Sequence, residues 1–75
     1  MKKLIRTLTT SQNFDYGNVM EIFEKDGMFV VNDNYQQELE KFPTLQRAEV
    51  NYFYRFNEIL RDRKFKDLTD TILSE

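Results

Sequence analysis

From residue 44 onward the apolar residues recur at helical spacing, whereas ahead of it they fall in short runs rich in β-branched and aromatic side chains. The first part therefore reads as strands and the second as helix. Lys3 to Thr9 forms one such run, Val19 to Lys25 a second and Met28 to Val31 a third. Asp26-Gly27 separates the last two, and glycine supplies the positive φ of a tight hairpin turn. Thr10 to Asn13 is a polar turn leading to Phe14, and Asn32-Asp33-Asn34 is another turn signal.

Residues 35 to 42 admit two readings. Tyr35, Leu39 and Phe42 fall at i, i+4 and i+7, which suits a short helix capped by Asn34 with Gln37 at the capping-box position. The same residues suit a strand hairpinned to Met28–Val31 and stopped before Pro43, because the residue ahead of a proline prefers extended geometry. The strand is preferred, and both readings stay open.

Beyond Thr44, a candidate N-cap, Leu45, Ala48, Tyr52, Phe56 and Ile59 recur at spacings of three and four. They define a long amphipathic helix with Phe56 at the centre of its buried stripe. Val50, Phe53 and Leu60 are expected to widen that apolar side, with Arg47, Asn51, Tyr54, Glu58 and Arg61 towards solvent. Basic residues near the end complement the helix dipole. Asp67 is then expected to cap a last short helix carrying Leu68, Ile72 and Leu73, with Phe65 as a hydrophobic anchor ahead of it.

The resulting expectation is an α+β fold: a single small domain, residues 1–75, with a small antiparallel sheet of three or four strands on one long helix and a short C-terminal helix. The strands are apolar on both faces. Met20 and Ile22 alternate with Val19 and Phe23, and Met28 and Val30 with Phe29 and Val31, so one helix cannot cover both sides. Either the C-terminal helix or the Phe14–Tyr16 segment covers the second face, or a second copy or a partner protein does.

Composition sharpens this picture. Seven Phe and four Tyr give a 75-residue chain the apolar bulk that its size demands. Cysteine and histidine are absent, which removes disulfides, thiolate metal sites, the commonest metal ligand and the commonest general base. The cytosol is the expected compartment. The opening Met1-Lys2-Lys3-Leu4-Ile5-Arg6 starts like a signal peptide, but the apolar stretch stops at Thr7–Ser11, so no leader is expected, and no run reaches the roughly 20 apolar residues of a membrane span.

Candidate chemistry is sparse. Gly17 and Gly27 stand alone and make no phosphate cradle. Asn32-Asp33-Asn34 lacks the glycine and the distal glutamate of a calcium loop. Glu21 with Glu24, and Glu38 with Glu40, sit where solvated strand faces are usually charged, and Ser11 and Ser74 have no histidine or cysteine to form a relay. No enzyme, cofactor, metal or small-molecule ligand is indicated.

Net charge is −2 but unevenly spread: residues 1 to 13 are purely basic, residues 14 to 41 strongly acidic, and the rest balanced around a basic knot of Arg61, Arg63, Lys64 and Lys66. The expectation is a non-enzymatic protein-interaction module, in size and composition like the accessory or inhibitory factors of bacteria and their phages. It would bind a protein partner or itself through Phe23, Phe29 and Val31 on the sheet face away from the helix. The alternative is a nucleic-acid-binding accessory protein using Lys2, Lys3 and Arg6 with Arg61, Arg63, Lys64 and Lys66. Against it, the acidic middle segment supplies little attraction for phosphates.

Overall fold

The computed structural model describes residues 1–74. Five strands, β1 (Lys3–Thr9), β2 (Met20–Lys25), β3 (Met28–Asp33), β4 (Glu38–Phe42) and β5 (Thr69–Ile72), form one sheet in the order β4-β3-β2-β1-β5. Every neighbouring pair is antiparallel. The single helix, α1 (Leu45–Asp62), lies across one face against β2, β3 and β4.

Local signals account for most of these elements. Asp26 and Gly27 both adopt positive φ, 54° and 75°, as a two-residue hairpin turn requires. Residues 38–42 are a strand, settling the ambiguous stretch, and Gln37 at φ 58° completes the turn into it. Thr44 caps α1 by accepting the Arg47 N–H at 3.2 Å. At the other end Arg63 turns left-handed at φ 53°, and its N–H donates to the Leu60 carbonyl at 3.2 Å.

Register sorts the side chains onto two faces. Towards α1 run the rows Asp70–Leu8–Met20–Asp33–Glu38 and Ile72–Arg6–Ile22–Val31–Glu40, followed by Phe29–Phe42. Away from it run Thr71–Thr7–Glu21–Asn32–Leu39 and Leu4–Phe23–Val30–Lys41. Leu8, Met20, Ile22 and Val31 meet Ala48, Tyr52 and Ile59 of the helix in the core. Edge-to-face contacts of Phe65 with Phe14 and Tyr35, at 5.7 and 5.4 Å, join the segment after α1 to the loops at that end of the sheet.

Three expectations are corrected. No C-terminal helix forms: Thr69–Ile72 is a fifth strand paired with β1, and the Leu73 N–H donates to the Ile5 carbonyl at 2.7 Å. Asp67 caps nothing helical; it accepts from the Thr10 hydroxyl at 3.1 Å and the Ser11 N–H at 3.2 Å, which ties the end of β1 to the approach to β5.

The helix keeps its expected stripe, with Leu45, Ala48, Tyr52, Phe56 and Ile59 in or against the core, and departs from expectation at the margins. Ala48, Tyr52, Arg55 and Ile59 are buried, Phe56 is only half-buried, and Val50, Phe53 and Leu60 face solvent. Arg55 takes an inward place between Tyr52 and Ile59, where its guanidinium reaches three carboxylates of the β3–β4 hairpin.

Finally, neither a terminal helix nor the Phe14–Tyr16 segment covers the open face. Phe23 and Val30 are nevertheless only 8% and 2% exposed. Lys2 lays its ammonium 4.4 Å from the centroid of the Phe23 ring, and cross-strand neighbours such as Leu4 and Lys41 close around the pair. The same ammonium donates to Glu21 at 3.4 Å, which holds Lys2 over this part of the face.

Candidate interaction surface

Two arginines organise the buried charge. Arg55, 7% exposed, donates to Asp33 at 3.3 Å, Glu38 at 3.2 Å and Glu40 at 3.0 Å, and its Nε donates to the Asn51 side chain at 2.8 Å. Burial alone would lower its pKa, but the hydrogen bonds it donates to Glu40, Glu38 and Asp33, with the charge of Glu38, outweigh that and raise it. Arg6 grips Asp70 through Nε at 2.9 Å and Nη2 at 2.6 Å, and gives its remaining nitrogen to Glu49 at 2.9 Å. Tyr52 donates its hydroxyl to the same Asp70 at 2.8 Å.

These networks work as clamps. The Arg6 hydrogen bond holds Asp70 below the usual carboxylate range despite burial, so it stays ionised and accepts. Burial, then the bond to Asp70, pushes the Tyr52 phenol far above its ordinary value, so it stays protonated and donates. No buried side-chain polar atom among the described residues lacks a partner. Near neutral pH the ionised Asp70 and the protonated Tyr52 form a fixed acceptor–donor pair that holds β5 against α1. No set of three or more candidate ligands able to hold a metal occurs among the described residues.

The residues singled out from sequence are dispersed. Phe23 lies on the open face, whereas Val31 is buried beneath α1 and Phe29 packs against the same core, so the three do not share a surface. Phe23 of β2 pairs with Val30 of β3 and shares its face, so alternation along β3 turns Phe29 and Val31 the other way. On the open face Phe23 instead floors a shallow cradle of about 450 Å³ with Met28, Val30 and Leu39, rimmed by Lys2, Lys25 and Lys41.

The basic residues are divided as well. Lys2 and Lys3 stand near the β2–β3 turn, since Lys3 pairs with Glu24. Arg61 to Lys66 lie at the opposite end of the sheet, where Asp62 accepts from Tyr35 and the Lys66 N–H donates to Gln12. Arg6 is buried and occupied by its carboxylates. The seven do not converge on one surface.

What the sequence reading overlooked is the outward side of α1. Val50, Phe53, Tyr54 and Leu60 are between 40 and 68% exposed, in a stripe running most of the length of the helix. A groove of about 650 Å³ lies alongside it, lined by Phe42, Gln46, Arg47, Val50, Asn51 and Tyr54. The signal was present: α1 has more large apolar residues than one buried arc accommodates. It was read as a wide buried face because nothing local marked Arg55 as an inward residue.

Comparison with known proteins adds no relative: no family model, no curated protein and no solved structure matches the chain.

Proposed function

We propose that this chain is a non-enzymatic binding module that engages a protein partner through the outward side of α1. The observation that carries the reading is the exposed stripe of Val50, Phe53, Tyr54 and Leu60. Isolated apolar residues on a surface are ordinary, but four at helical spacing on one rigid element make a linear apolar surface of the kind that partners cover. Aromatic side chains in such a stripe are the usual anchors of binding energy, and two of these four are aromatic. Rigidity supports the reading too, because the buried Arg55 and Tyr52 hold the helix in one orientation and lower the entropy lost on docking.

The test uses the immobilised chain in lysate of its native host, with captured proteins identified by mass spectrometry. Wild type is compared with Tyr54→Glu, which places a charge in the stripe, and with Thr71→Glu, a control on the opposite sheet face. A species held by wild type and by Thr71→Glu, and lost from Tyr54→Glu, is the expected result. A specific species held equally by all three would place the binding surface elsewhere.

A further inference from the structure

Resting on that reading, we infer that the occupant of the outward face of α1 is an acidic amphipathic helix of a different protein, and not a second copy of this chain.

The argument is one of charge and spacing. α1 carries three acids, and each accepts from a group outside the helix: Glu49 from Arg6, Glu58 from Gln36 and Asp62 from Tyr35. Of its three arginines Arg55 is buried, while Arg47 and Arg61 are exposed beside the apolar stripe and form no ion pair among the described residues. The outward face therefore has an apolar centre with an unneutralised positive charge near each end, and Arg63 and Lys64 reinforce one of them. From Arg47 to Arg61 the face is about 21 Å long, enough to seat roughly four turns of a second helix. Within it the exposed apolar residues run from Val50 to Leu60, about 15 Å along the axis, a patch of the kind that helix-on-helix packing buries, and carboxylates flanking the apolar side of the incoming helix would complete it.

The same spacing disfavours self-docking. Arg47 and Arg61 each lie seven residues from Tyr54, near the middle of the stripe. A two-fold related copy docked antiparallel about that point would set Arg47 of each chain against Arg61 of the other at both ends. Like charges facing across an apolar contact repel, so the arrangement that would make a homodimer symmetrical also opposes it.

The test uses two synthetic 18-residue amphipathic helical peptides with the same leucine stripe, one flanked by glutamates and one by lysines. Their fluorescence anisotropy is titrated with the full chain at low and moderate salt. The glutamate peptide should bind roughly tenfold or more tightly than the lysine peptide, and the advantage should shrink between about 50 and 300 mM salt. The double variant Arg47→Glu/Arg61→Glu, altered only at exposed positions, should reverse the preference. Tyr54→Glu should abolish binding of both peptides, and light scattering of the chain alone should give the monomer mass.

Equal affinities, a preference for the lysine peptide, binding of neither peptide, or a stable dimer dissolved by Tyr54→Glu would each overturn the inference. The lysate comparison fails independently of these results. Loss of a captured species from Tyr54→Glu together with no peptide preference would leave α1 as the binding face and refute only the chemistry assigned to its partner.

Discussion

Arg55 shows how a charged side chain comes to lie in the inward arc of an amphipathic helix. It sits three residues after Tyr52 and four before Ile59, squarely in the inward arc, yet its type belongs on the surface by every compositional rule. What holds it there is invisible in the helix itself: Asp33 and Glu38 come from either side of the β3–β4 turn, and Glu40 lies two residues further on. That convergence exists only once the hairpin has formed, so the apolar spacing of α1 alone puts Phe56 at the centre of the stripe and carries no sign of Arg55. Replacing Arg55 by alanine would leave the fully buried Asp33 carboxylate without its cation. The expected cost is about 3–5 kcal/mol, against about 0.5 kcal/mol or less for Tyr54→Ala on the exposed side. Urea unfolding of the two variants measures both, and comparable costs would show that the Arg55 cluster does not orient the helix.

At the scale of elements, legibility followed distance along the chain. The β2–β3 hairpin was readable because its two turn residues carry their own backbone requirement, and α1 because its cap and periodicity are local. β5 was not readable: four residues, Thr-Asp-Thr-Ile, are too few for a pattern, and the partner that makes them a strand is β1, some 60 residues earlier. Asp70 secures that pairing through Arg6 and Tyr52, and its chemistry gives the strand a pH dependence. Hydrogen bonding to Arg6 lowers its folded pKa below the unfolded value of about 4, so its stabilising contribution is complete above roughly pH 5. It is lost as pH falls through the unfolded value and on through the lower folded one. Asp70→Asn should therefore be less stable than wild type at neutral pH and show a shallower loss between about pH 5 and 2. Urea midpoints across that range test this; parallel curves would mean that Asp70 contributes nothing to acid sensitivity.

For the molecule as a whole, the sequence reading foresaw the α+β class and the need to cover a two-faced sheet, but it sought the cover in another element or another chain. Within the chain, Lys2 and cross-strand neighbours cover Phe23 and Val30, a contribution that a hydrophobic/polar alphabet cannot express because it scores lysine as polar throughout. The same limit hid the exposed apolar residues of α1, which look identical in sequence whether they face inward or outward. The closure of the sheet by β5 also bears on time. Arg55 and Glu40 are 15 residues apart, whereas Arg6 and Asp70 are 64 apart, so the hairpins and helix can assemble from near neighbours while the fifth strand must wait for both ends of the chain to meet. Closing so long a loop is least costly once the intervening chain is already compact, which makes β5 the last strand to join and the first to leave. Pulse-labelled hydrogen exchange should accordingly find the β2–β3 amides protected before that of Leu73, and native-state exchange should release the Leu73 amide through an opening that leaves Ile22 and Val31 protected; simultaneous protection of all of them would show instead that the ends of the chain meet as early as its hairpins form.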